Sequence, residues 1–131
     1  MKITEYNIRA GIGNKTVFVF LSDIHEQNTA KAYELTGRIS PDAVLVGGDY
    51  VQGKGRSSKG LDLISRLSEK YPVFVSLGNH EFKYGPDIKN LTVGTGAVLL
   101  DNSDTFFHGV RVGLRNEFLA VSSVAVVDLF L

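Results

Sequence analysis

Three stretches of the chain share one pattern of apolar and polar positions. Val17-Phe18-Val19-Phe20-Leu21 runs into Ser22-Asp23-Ile24-His25, Val44-Leu45-Val46 runs into Gly47-Gly48-Asp49, and Val73-Phe74-Val75-Ser76-Leu77 runs into Gly78-Asn79-His80-Glu81. Each run has the length and the β-branched, aromatic composition of a strand covered on both faces. Each ends on polar groups that a buried strand does not tolerate unpaired. Between the runs, Ala32, Leu35 and Ile39 share one helical face that starts at Asn28 or Thr29 and stops at Ser40-Pro41. Leu61, Ile64 and Leu67 share another, which closes near Lys70-Tyr71-Pro72. Strand, helix, strand, helix, strand predicts an α/β fold, a parallel-core sheet flanked by helices with right-handed crossovers. The carboxyl ends of its strands open on one edge, so Asp23, His25, Asp49, Asn79 and His80 are expected to converge there.

Elsewhere the pattern is weaker. Residues 3–9 alternate as a half-exposed strand, and Gly11-Ile12-Gly13-Asn14-Lys15 supplies a reversal into residues 16–21, which makes an N-terminal hairpin. Residues 52–60 are polar, glycine-rich and basic and form a loop without Walker spacing; it is either solvated or lies over the crevice against an anionic substrate. Past Glu81, Pro86-Asp87 starts a short helix holding Ile88 and Leu91, which Gly94-Thr95-Gly96 ends. Residues 97–100 read as a strand, and the apolar stretches on either side of His108-Gly109 read as a hairpin. Residues 118–131 are almost entirely apolar, yet shorter than the roughly 20 residues a membrane-spanning helix needs. They are expected to be buried, as a terminal strand or in an interface with a second copy.

Composition narrows the function classes. The 131 residues fit one domain, residues 1–131, and 44% of them are apolar, enough for a core. Fourteen basic residues balance fourteen acidic ones, so bulk charge indicates neither nucleic acid nor a membrane surface as a partner. The absence of cysteine removes disulfides, thiolate metal sites and thiol nucleophiles together. The N-terminus alternates instead of forming an apolar signal core, so a cytoplasmic location is the expectation.

The chemistry lies in the three polar strand ends. Asp23 and His25, two positions apart, offer a cation one oxygen and one nitrogen donor, Asp49 has two oxygens and can bridge two cations, and Asn79 adds a neutral oxygen. Such mixed oxygen and imidazole sets suit Mn, Fe, Zn or Co better than Mg or Ca. Metal-assisted hydrolysis is the reaction they imply. The plain alternative is a set of polar residues that cap loops by hydrogen bonds.

Asp23-Ile24-His25, Gly47-Gly48-Asp49 and Gly78-Asn79-His80-Glu81 stand in that order, each after a strand, with 26 positions from Asp23 to Asp49 and 30 from Asp49 to Asn79. Together they resemble the first three motifs of the calcineurin-like metallophosphoesterase family, closely over residues 15–82 and loosely as far as Gly113. Gly48-Asp49-Tyr50-Val51 is similar to the second motif of a bacterial branch. The resemblance implies half of a four-layer αββα sandwich and hydrolysis of a phosphomonoester or phosphodiester by a hydroxide held between two divalent metals (Mn, Fe or Zn). It implies that Asp23 and His25 bind the first metal, Asp49 bridges both and Asn79 binds the second. His80 would face the phosphate as proton donor or charge stabiliser, and Glu81 would orient His80.

Family members add a further histidine and a Gly-His-x-His motif. Here no histidine follows His108, which matches no family motif and is expected to be structural or on the surface. The chain is therefore expected to be the N-terminal half of such an enzyme, to bind one metal or none, and to be impaired in activity. A partner chain is expected to replace the second sheet layer. The competing reading is a non-catalytic α/β module that forms a homodimer through residues 118–131. A nucleotide-binding flavodoxin-like domain lacks a phosphate loop and leaves the motif carboxylates unexplained.

Overall fold

Residues 2–9, 15–22, 24, 28–52, 58–108, 110–115 and 126–130 are described by the computed structural model. The N-terminal hairpin forms as expected: β1 (Lys2–Arg9) runs antiparallel to β2 (Lys15–Ser22), from Lys2 opposite Ser22 to Arg9 opposite Lys15. After β2 come β3 (Ala43–Gly47), β4 (Val73–Ser76) and β5 (Val98–Leu99), each parallel to the strand before it. The sheet order is β1-β2-β3-β4-β5, so each crossover leads to the next neighbour and crossovers of one hand put every helix on the same face.

Alternation along the strands decides the layers, because successive side chains point to opposite faces. Val19, Leu21, Val44, Val46, Val73 and Val75 face the helical layer, where Ala32, Leu63, Ile64, Leu67 and Ile88 meet them. Phe18, Ala43, Leu45 and Phe74 face the other way, onto Leu100, Val112 and the partly buried Phe20 and Phe107. That second face is covered by an antiparallel sheet of β6 (Ser103–Phe107), β7 (Val110–Arg115) and β8 (Val126–Phe130). Phe107 meets Phe18 and Phe74 edge to face, with ring centroids 5.7 and 5.8 Å away, the arrangement that the ring quadrupole favours. The layers are thus helix, sheet and sheet. The chain itself supplies the second sheet that was expected to need a partner.

The helices follow their sequence signals with three differences. In α1 (Thr29–Ile39), Ala32 and Thr36 are the buried residues, and Ser40 closes the helix in a left-handed conformation, φ 51°, its N–H bonding to Thr36 O. The helix α2 (Lys59–Ser68) starts two residues inside the expected loop, because the Ser58 hydroxyl accepts the N–H of Leu61 at 3.0 Å and caps it. Its Arg66, and Lys70 just beyond its end, lie over the Tyr33 ring of α1, 4.1 and 5.2 Å from the centroid, and tie the two helices together. A helix not anticipated from the sequence, α3 (Asn79–Tyr84), begins inside the third motif. In α4 (Ile88–Gly94), Ile88 is buried as expected, but Leu91 is 43% exposed and Thr92 takes the inward position.

The hairpin around His108 forms with Phe107 opposite Val110. His108 is exposed and stacks on the Phe107 ring at 4.0 Å. Of the apolar segment 118–131, β8 pairs with β7; its side chains and residues 116–125 lie outside the described residues, and so does its expected burial. Among the described residues no helix is long and apolar enough to cross a membrane.

Candidate metal centre

Two adjacent parallel strands bring the second and third motifs to one edge of the sheet. Gly47 of β3 is level with Ser76 of β4, so the chain leaves both strands at the same height. The two exits touch. A Cβ added to Gly48 would lie 2.8 Å from Gly78 N, and Gly48 has φ +82°, so close approach and backbone conformation both demand glycine. Asp49 follows in a left-handed conformation that is uncommon outside glycine, φ 53°, and is 2% exposed. Its Oδ1 accepts the backbone N–H of His80 at 3.1 Å, near the start of α3.

Glu81, on the first turn of α3, is fully buried, and its carboxylate reaches back across the two exits. Oε1 accepts the N–H of Asp49 at 2.6 Å and of Gly78 at 2.7 Å, and Oε2 accepts that of Val51 at 3.1 Å. The bond from Gly78 is one half of a capping box; glycine has no side chain to return the other half. Burial pushes the Glu81 carboxyl up to about 7; the three N–H donors pull the other way and the nearby Asp49 charge adds to the rise. Among the described residues all hydrogen bonds to Glu81 come from backbone donors.

Tyr50 secures the loop from the other side. It is fully buried, and its hydroxyl shares a 2.6 Å hydrogen bond with Thr92 of α4. Burial raises its pKa, the Glu81 charge adds to the rise, and the bond to Thr92 opposes it. Its carbonyl lies under Gly60 of α2, where an added Cβ would collide with Tyr50 O. Sequence reasoning missed Thr92 and Gly60 as supports of this loop. The i, i+4 pair Ile88 and Thr92 was the available signal for the inward face of α4.

Of the expected site residues, Asp49, Asn79, His80 and Glu81 come together, with Asn79 and His80 half-buried at the start of α3. Asp23 and His25 lie outside the described residues. Among the described residues no three His, Asp or Glu side chains gather in a way that could hold a metal ion. What Asp49 and Asn79 offer still fits a divalent cation in kind. A carboxylate has about four lone-pair sites, of which the His80 N–H takes one, and the Asn79 carboxamide adds a neutral oxygen. Glu81 is engaged by backbone and is not a donor of this kind.

Fold and site define a class: an α/β domain with a buried carboxylate, that of Asp49, bonded to the start of α3 at the carboxyl edge of a parallel sheet. A family model, calcineurin-like phosphoesterase, matches residues 16–123, and the chain belongs to that family. Metal-dependent hydrolysis of phosphate esters is the activity of this class of domain. No curated protein matches the chain significantly.

Proposed function

We propose that this chain is a divalent-metal-dependent phosphoesterase module of the bacterial branch marked by Gly48-Asp49-Tyr50-Val51. The observation that supports it is the bond from His80 N–H to Asp49 Oδ1, which joins the second motif's carboxylate to the backbone of the third motif. In this reading Asp23, His25 and Asp49 hold one metal, and Asp49 with Asn79 begins a second site. The bound metal, Mn, Fe or Zn, supplies charge neutralisation at the phosphoryl oxygens and a nucleophilic water. The residues around it do the rest. Asp49 and Asn79 fix its place, the phosphate ester enters from the open carboxyl edge, and His80 donates a proton or a hydrogen bond to the ester oxygens. Within these 131 residues the first site has three ligands and the second two, so weak single-metal binding and low turnover are expected of the chain alone.

The alternative, a non-catalytic α/β module that forms a homodimer through residues 118–131, rests on the apolar sequence of that segment, while Phe107 of β6 and Val112 of β7 pack on the aromatic face of the first sheet.

Titration with Mn²⁺ followed by metal analysis, and hydrolysis of an aryl phosphate, test the assignment. Wild type is expected to bind about one equivalent, with binding lost in Asp49→Asn and weakened at least about tenfold in His25→Ala. Two tightly held metals, or binding indifferent to both substitutions, would refute the ligand set.

A further inference from the structure

The second and third motif exits exchange backbone bonds through their carboxylates, and the exchange is lopsided. Asp49 accepts one N–H from α3, that of His80, whereas Glu81 accepts three: Asp49, Val51 and Gly78. Two of these donors flank Tyr50, and the third heads α3, two residues before Glu81's neighbour His80. All three bonds are buried. Asp49 meanwhile keeps a left-handed backbone at φ 53°, which a non-glycine residue holds only where its surroundings over-determine it.

We propose that Glu81 is a positioning residue for Asp49. Its carboxylate clamps the amides of Asp49 and Val51 to that of Gly78, so that Asp49 and Asn79 form one preset unit before any metal arrives. The inference rests on the reading of Asp49 and Asn79 as ligands, and it gives Glu81 a part in metal affinity and not in the chemical step. A carboxylate suits the clamp because it accepts at both oxygens and donates at neither. An amide in its place keeps one accepting oxygen and turns an NH₂ toward a buried N–H. Oε1 already serves two donors, so the amide oxygen of Glu81→Gln would stay there and the clash would fall on Val51.

Amide hydrogen exchange on metal-free protein in EDTA tests the clamp without reference to activity. In wild type the amides of Asp49, Val51 and Gly78 are expected to exchange as slowly as those of Val44 and Val75. Glu81→Gln is expected to speed Val51 alone, by about tenfold or more, and Glu81→Ala to speed all three. Mn²⁺ affinity should fall about tenfold in Glu81→Gln and further in Glu81→Ala, within the 10–100-fold range of residues that support metal ligands. Fast exchange of the three amides in wild type overturns the proposal, as does a folded Glu81→Gln that binds Mn²⁺ as wild type does. Slow exchange in a wild type that takes up no Mn²⁺ upholds the clamp and overturns the ligand reading instead. If Glu81→Ala does not fold, the wild-type pattern and the selective loss at Val51 decide.

Discussion

At the scale of single residues, the candidate centre is built mainly from backbone contacts. Gly48 lets two strand exits touch, Glu81 gathers their amides, and Tyr50 fixes the peptide between Asp49 and Val51 through Thr92. The Tyr50–Thr92 bond is buried, so removing one partner leaves the other hydroxyl unsatisfied at a cost of about 1–3 kcal/mol, whereas removing both is cheaper than the sum. Tyr50→Phe is thus expected to lower stability by about 1–2 kcal/mol, and Tyr50→Phe with Thr92→Val by less than the two single changes added. Urea unfolding of the four proteins in EDTA measures this; strict additivity would mean that the 2.6 Å contact carries no coupling. Asp23 and His25 of the first motif lie outside the described residues, and the second and third motifs were legible because they stand at the ends of apolar runs. The roles of Glu81 and Thr92 were not, because a carboxylate that serves three amides and a threonine turned inward look in sequence like any polar residue on a helix.

At the scale of elements, strands β2, β3 and β4 and helix α2 were readable from apolar periodicity because their burial is strong and regular, whereas α1 was readable from its stop at Ser40-Pro41, since of its expected face only Ala32 is fully buried. Every residue of β3 and β4 is buried. The six-residue α3 was not, since it is too short to show a period and owes its start to Asp49 and Glu81, contacts made across about 30 residues. The face of α4 was misread because Leu91 outranks Thr92 in hydrophobicity, while a tyrosine hydroxyl elsewhere in the chain decides which of them turns inward. The covering sheet hangs on Phe107, the half-buried ring wedged between Phe18 and Phe74. Phe107→Ala is expected to cost about 2 kcal/mol, below the range for fully buried aromatic residues, and to loosen β6 and β7 first. Hydrogen exchange should show Val112 speeding up well before Leu45; equal acceleration of both would mean that the two sheets open as one unit.

At the scale of the whole molecule, one chain supplies both walls of its aromatic seam, and the expected state in solution is a monomer of 14.3 kDa. Light scattering gives the mass directly, and a stable dimer at micromolar concentration would show that another apolar surface governs association. The order of the layers along the chain has a further consequence during synthesis. The first sheet is complete once β5 has emerged at Leu99, but its aromatic face stays bare until Phe107 and Val112 follow. A ribosome adding about 5–20 residues per second closes that gap within about a few seconds. The nascent chain therefore passes through a brief, sticky stage in which Phe18, Phe20 and Phe74 are open to chaperones and to other nascent chains, and a translational pause just after Leu99 would lengthen it.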